Sequence, residues 1–156
     1  MTIFHSMNTT ASALTTQRLR MDVISSNIAN VDTTRARQVN GEWEPYRKKS
    51  VVLSEQQEGR RFGNFLNVAM GRSSNEAAGN GVKVKEIKEN TETPFKLVYD
   101  PTHPDANGEG YVQTSNVELL TEMVDLISAS RSYEANVTMF NANKAMLTKA
   151  LEIGKG

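Results

Sequence analysis

Apolar residues recur at four-three spacing near both ends of this chain, and that repeat constrains the fold more than any other feature. Near the N-terminus it is carried by Ile3, Met7, Thr10, Leu14, Gln17, Met21, Ile24, Ile28 and Val31. Toward the C-terminus it is carried by Leu119, Met123, Leu126, Ser130, Tyr133, Val137, Phe140, Lys144, Leu147 and Leu151. Steps of four and three average about 3.5 residues, the period of helices that bury a narrow seam against other helices. The first pattern predicts a helix from Thr2 to Val31, about 45 Å long at about 1.5 Å per residue. The second predicts one of about 55 Å between Ser115 and Gly154, with no Gly or Pro between them. Ser115-Asn116-Val117-Glu118 fits a capping box: the Ser115 hydroxyl would accept from the Glu118 amide, and the Glu118 side chain would reach back. Gly154 supplies the stop. Thr10, Gln17, Ser130 and Lys144 interrupt the two stripes; such positions cost stability and restrict register.

Between the helices the chain reads as β and loop. Ser50–Leu53, Val82–Lys85 and Phe95–Tyr99 are short strand-like runs flanked by Gly, Pro or Asn. Residues 59–81 are rich in Gly, Asn and Ser, with scattered apolar anchors, and read as a flexible insertion. Residues 100–110 are turn chemistry throughout. The expected fold is therefore α+β: long N- and C-terminal helices form a coiled-coil-like bundle, with a small irregular β-rich middle. The segments are 1–34, an N-terminal assembly helix; 35–114, the middle; and 115–156, a C-terminal assembly helix. On pattern alone, the helices could pair as an antiparallel hairpin within one monomer or present seams to partners.

Composition narrows the function classes. The formal charge is +0 and both signs are mixed along the chain, so no basic face points to nucleic acid. The densest basic run, Arg35, Arg37, Arg47, Lys48 and Lys49, is interrupted by Glu42 and Glu44 and reads as a solvated loop. The chain has no cysteine, which removes disulfides, thiolate metal sites and cysteine nucleophiles together. No Sec-type leader and no membrane-spanning run is expected from the apolar pattern.

Catalytic, cofactor and metal sites are not expected. His103 lies near Asp100 and Asp105, but Pro101 and Pro104 stiffen that stretch and a structural turn accounts for it. Gly79-Asn80-Gly81 lacks the strand-glycine-helix order of a dinucleotide fingerprint and the Lys-Ser/Thr of a P-loop. No Ser/His/Asp set or carboxylate pair stands in a recognisable context.

Ser25-Ser26-Asn27-Ile28-Ala29-Asn30-Val31-Asp32-Thr33-Thr34 resembles the N-terminal signature of the flagellar rod and hook proteins. Ser115 through Val124, continuing to Arg131-Ser132-Tyr133-Glu134-Ala135-Asn136, resembles their C-terminal signature. Tyr99 through Ala106, with Gly110-Tyr111-Val112, is similar to the proximal-rod members of that family. Ser115 stands where the family commonly has Pro. The resemblance implies a structural subunit that polymerises helically and transmits motor torque. It would be exported from the cytoplasm through the flagellar type III apparatus, without a Sec signal, into the periplasmic rod. The implied partners are other rod subunits, the rod-to-membrane-ring adaptor, further copies of the chain and the export apparatus, with neither nucleic acid nor membrane insertion. The expected assembly interface comprises Met21, Ile24, Asn27, Ile28, Asn30, Leu119, Met123, Leu126, Tyr133, Asn136, Val137, Phe140 and Leu147. The three asparagines would hydrogen-bond between helices and set register. The alternative class is a cytoplasmic helical-hairpin adaptor or export chaperone.

Overall fold

The computed structural model describes residues 3–39, 41–56, 69–70 and 81–154. Helix α1 spans Ile3–Ala29 and helix α2 spans Leu119–Ile153. Neither contains Gly or Pro, and each lies within the range its apolar repeat predicts. The two helices pack antiparallel: Ser6 bonds Asn143, Arg20 bonds Asp125, and Asn27 bonds Glu122. Between them, among the described residues, six strands form three two-stranded ribbons. The α+β architecture with long terminal helices and a small β-rich middle is the expected one.

The strands are β1 Arg37–Val39, β2 Glu42–Glu44, β3 Lys49–Glu55, β4 Val82–Glu89, β5 Lys96–Tyr99 and β6 Tyr111–Thr114. β3, β4 and β5 fall on the three runs that the sequence marks as strand-like. The basic run around residues 35–49 is not the solvated loop expected of it. Gly41 takes a left-handed φ of 92° and turns the chain, so that β1 and β2 pair antiparallel with Arg37 opposite Glu44. Opposite charges at a cross-strand pair favour that register. Of the Gly-rich stretch 59–81, all but residues 69, 70 and 81 lies outside the described residues.

The chain divides into two compact units, each drawing on both helices and on the β3–β4 ribbon. In the unit formed by 1–17, 53–85 and 132–156, the ribbon end sits on α1 at Ser12. The Gln56 amide donates to the Gly81 carbonyl at 3.0 Å, and the Val82 amide to the Ser12 hydroxyl at 3.1 Å. Gly81 has φ 83°, and a Cβ there would lie 2.5 Å from the Ser12 oxygen, so the close approach requires glycine.

In the unit formed by 18–52 and 86–131, β5 and β6 make an antiparallel hairpin with Val98 opposite Val112 and Tyr99 opposite Tyr111. Val112 is buried, whereas the tyrosines meet edge to face at 5.3 Å on the exposed side. The turn chemistry expected of 100–110 is present. The Asn107 side chain accepts from the Glu109 and Tyr111 amides, and the Gly110 carbonyl accepts from Asp100.

Among the described residues the buried interior is as polar as it is apolar. Val23, Ile24, Tyr46, Val112, Val117 and Ala129 are buried beside Thr10, Thr16, Asn27, Ser115, Asn116, Glu122 and Asn143. Thr10 and Thr16 return their hydroxyls to the carbonyls of Ser6 and Ser12, one turn back along α1. On α2 the inward seam runs Glu122, Leu126, Ala129, Tyr133, Asn136, Phe140, Asn143 and Leu147, again at four-three spacing. It shares Leu126, Tyr133, Phe140 and Leu147 with the apolar repeat. At the alternate positions it is shifted by one residue, so that Glu122 is buried and Met123 is 48% exposed. Hydrogen-bonded Glu122 and Asn136 occupy the seam where the pattern selects Met123 and Val137.

The start of α2 also differs from the expected capping box. The Ser115 hydroxyl accepts from the Val117 amide at 3.2 Å rather than from Glu118. The Glu122 amide donates to the Glu118 carbonyl at 3.0 Å, which makes Glu118 the capping residue. Its carboxylate accepts from the Thr121 hydroxyl at 3.1 Å. Ser115, Asn116 and Val117 are all buried among the strands, and this holds them out of the helix.

Gly110 has φ 83°, and a Cβ there would meet Tyr99 at 3.0 Å and Pro101 at 3.3 Å. Replacing Gly110 with Ala is expected to cost about 1–2 kcal/mol from the left-handed backbone. A urea melt followed by circular dichroism should show this as a lower midpoint with an unchanged slope.

Candidate assembly interface

The site is built around one buried carboxamide. Asn27, on the last turns of α1, is 1% exposed. Its Nδ2 donates to the Lys49 carbonyl at 2.8 Å and to Glu122 Oε2 at 2.9 Å. Its Oδ1 accepts from the Lys49 amide and from the Tyr46 hydroxyl, each at 3.0 Å. Both donors and both acceptor positions of the amide are thereby occupied. Toward β3, Asn27 presents the pattern of a neighbouring strand.

A second asparagine grips the adjacent residue. Asn116 Oδ1 accepts from the Lys48 amide at 2.7 Å, and its Nδ2 donates to the carbonyls of Asn90 and Thr93, each at 3.1 Å. Residues 48 and 49 are thus held by one side chain from α1 and one from the segment leading into α2. Lys96 Nζ donates to the Val117 carbonyl at 2.7 Å and fixes β5 to the same lead-in.

Glu122 completes the arrangement. It is 1% exposed, with Oε2 on Asn27. Its Oε1 takes no well-directed hydrogen bond and instead faces the Lys48 ammonium at 2.5 Å. A buried carboxylate left without a counter-charge would cost several kcal/mol, on the order of 3–5, so Lys48 and Asn27 are required by its presence. Arg20 and Asp125 add a half-exposed ion pair between the helices at 3.3 Å.

Arg35, Arg37 and Arg47 are ion-paired outside this knot. Arg37 bridges Glu44 at 2.6 Å and Glu89 at 3.0 Å, and Arg47 also reaches Glu44 while lying 4.4 Å over the Phe95 ring. Hydrogen bonds from Arg37 and then Arg47 hold the Glu44 carboxyl below its ordinary range. Arg35 and Thr34 both donate to Asp105, and those bonds, Arg35 first, lower the Asp105 pKa. His103 Nδ1 accepts from the Asp105 amide at 3.1 Å, which absorbs the histidine into the turn. Among the described residues, no group of three His, Cys, Asp or Glu could hold a metal ion, and no helix is long and apolar enough to cross a membrane.

Of the residues singled out from the sequence, Ile24 and Asn27 are buried and Met21, Ile28 and Asn30 are half-buried. Leu126, Tyr133, Asn136, Val137, Phe140 and Leu147 are half-buried, whereas Leu119 and Met123 are exposed. Of the three asparagines, only Asn27 hydrogen-bonds the other helix within this chain. Asn30 and Asn136 donate to the carbonyls of Ser26 and Ser132 on their own helices. Sequence reasoning missed Tyr46, Lys48 and Glu122 and assigned Asn116 only to a helix start. A charged residue inside the apolar run Leu119–Val124 was the available signal for Glu122.

Asn27 lies within one family match, and Asn116 and Glu122 within another. Residues 7–37 match the flagella basal body rod protein family, and residues 109–153 match the C-terminal family of flagellar basal body rod FlgEFG proteins. Full-length relatives narrow the class. The chain is 65% identical over 155 residues to the flagellar basal-body rod protein FlgC of Bacillus subtilis (strain 168), covering 99% of this chain and 100% of the relative. It is 42% identical over 161 residues to FlgC of Borreliella burgdorferi, with 100% of both chains covered. It is 39% identical over 155 residues to FlgC of Escherichia coli O6:H1, covering 99% of this chain and 100% of the relative. The class is that of flagellar basal-body rod proteins, structural parts rather than enzymes. Within it, the chain belongs to the FlgC family.

Replacing Asn27 with Ala strands the Lys49 amide and carbonyl and removes a donor from Glu122. The expected loss is about 2–4 kcal/mol, because buried groups left unsatisfied cost about 1–3 kcal/mol each; a denaturant melt reads it directly. The Asp105 junction gives a pH signature. Its folded pKa is depressed, so its contribution is complete above the ordinary carboxylate pKa and is lost as pH falls through the folded value. The stability gap between the parent chain and an Asp105→Asn variant should therefore be flat from neutral pH to about pH 5 and close in stronger acid.

Proposed function

We propose that this chain is a structural subunit of the proximal rod, one that polymerises helically through its terminal helices and carries motor torque. The observation that carries this reading is the end-to-end match to FlgC proteins, which leaves no part of the chain outside the family. A buried polar knot suits that role, since buried asparagine and glutamate fix register between helices rather than adding raw stability.

In this reading residues 1–34 and 115–156 are the assembly segments and 35–114 the middle. Met21, Ile24, Asn27, Ile28, Asn30, Leu119, Met123, Leu126, Tyr133, Asn136, Val137, Phe140 and Leu147 form the interface, within one subunit or across neighbours. Leu119 and Met123 are exposed in the single chain and therefore remain open to a neighbour. The chain reaches the periplasmic rod through the flagellar type III apparatus, without a Sec signal. It contacts other rod subunits and the adaptor to the membrane ring.

Mass spectrometry of detergent-extracted hook–basal bodies from the source bacterium tests the assignment. Stoichiometric recovery of the chain is expected; intact basal bodies lacking it would overturn the reading. A Phe140→Asp change places a charge in the seam. It should abolish swimming while the cellular level of the protein stays unchanged, as a motility assay paired with immunoblotting would show.

A further inference from the structure

The turn of the β5–β6 hairpin holds a reactive pair that the rod reading leaves unused. The sequence has three Asn-Gly steps, Asn40-Gly41, Asn80-Gly81 and Asn107-Gly108. At the first two the backbone requires the glycine, since Gly41 and Gly81 have φ of 92° and 83°. Gly108 has no left-handed φ, and a Cβ built there would meet nothing within 4 Å. Neither backbone conformation nor packing accounts for a glycine at 108. What glycine does supply there is a main-chain nitrogen that no side chain shields, directly after a carboxamide.

Asn107 is held so that its carboxamide is activated. Its Oδ1 accepts from two backbone amides, that of Glu109 at 3.0 Å and that of Tyr111 at 2.8 Å. The bond to Glu109 closes a turn-like ring that includes the Gly108 nitrogen, and this folds Cγ back over the Gly108 peptide group. The main chain is fixed on both sides: the Asn107 amide donates to the Tyr111 carbonyl, and the Gly110 amide to the Asn107 carbonyl, each at 2.9 Å. The Gly108 amide takes no partner among the described residues, and Asn107, Gly108 and Glu109 are all exposed. When a nucleophile adds to Cγ, negative charge develops on Oδ1. Two fixed amide donors already at hydrogen-bond distance are the arrangement that stabilises such an oxyanion.

We propose that Asn107 is a self-modification site, converted by attack of the Gly108 nitrogen on the Asn107 Cγ. The N–Cγ bond forms as the Gly108 amide proton passes to solvent, and the Glu109 and Tyr111 amides hold the charge on Oδ1. Collapse of that intermediate breaks the Cγ–Nδ2 bond. Nδ2 takes a proton from solvent and leaves as ammonia, and a cyclic imide remains. Water, the one co-reactant, then opens the imide. Addition at Cγ gives aspartate; addition at the former main-chain carbonyl gives isoaspartate. Either product places a new negative charge at the hairpin turn, and the second also lengthens the main chain there.

For the test, the purified chain is incubated in neutral buffer, with and without enough urea to unfold it, and its proteolytic peptides are followed by mass spectrometry. The expected result is a gain of about 1 Da at Asn107, with isoaspartate detected by an isoaspartyl methyltransferase assay. The two donors act only in the folded hairpin, so the native chain should react about tenfold faster than the chain in urea. Gly108→Ala should slow the native reaction several-fold, because its methyl crowds the attacking nitrogen, without lowering the urea midpoint. A native rate equal to or below the rate in urea would overturn the proposal, since the fold would then give the attack no help. Gly108→Ala reacting at the parent rate would also overturn it, because the Gly108 nitrogen would not be the nucleophile. So would the absence of any mass change at Asn107.

Discussion

The Asn27 carboxamide is the interaction on which the region 18–52 and 86–131 depends. It touches α2, the backbone of β3 and the Tyr46 hydroxyl together. An apolar residue there could fill the space but could not satisfy the Lys49 amide and carbonyl, which at that point of β3 face a helix rather than a strand. A carboxylate could accept from the amide but would repel Glu122. Asparagine carries both a donor pair and an acceptor in a rigid plane, so it meets the strand and the carboxylate together. Asn116 repeats the device one residue earlier, just before the same strand, and Glu122 and Lys48 join the two grips into one network.

Such a network serves specificity more than stability. Buried ion pairs contribute little net free energy against an apolar alternative, but they penalise every misaligned arrangement that separates the partners. Sliding α1 along α2 by one turn would leave Glu122 without Asn27 and leave the Lys49 backbone groups unmatched. The polar seam thus gives the helix pair one favoured alignment, where a uniform stripe of Leu and Met would tolerate several.

Much of this was legible in the sequence. The helices follow from the four-three repeat and from the absence of Gly and Pro, and β3, β4 and β5 follow from short β-prone runs between turn residues. The signature asparagine Asn27 was expected to bond between helices, and it does. What remained hidden has a common physical origin. The seam of α2 admits Glu122, Asn136 and Asn143 because hydrogen-bonding groups offset their burial or shield it, and a hydrophobicity pattern has no term for a partner distant in the chain. β1 and β2 were obscured in the same way: a dense run of charges reads as solvated until Glu44, Glu89 and Asp105 are brought against it.

The separation along the chain of these contacts orders the folding reaction. The β1–β2 and β5–β6 hairpins close over short loops and can form on their own, at the microsecond scale of local structure. The Asn27–Glu122 bond joins residues 95 apart, and the Ser6–Asn143 bond joins residues 137 apart. Contacts of that separation form slowly, because the loop must be closed before any favourable interaction is gained. A chain delivered N-terminus first therefore carries Asn27 without its Glu122 partner through most of its length. The helix pair locks only after the final quarter of the polypeptide has arrived in the same place.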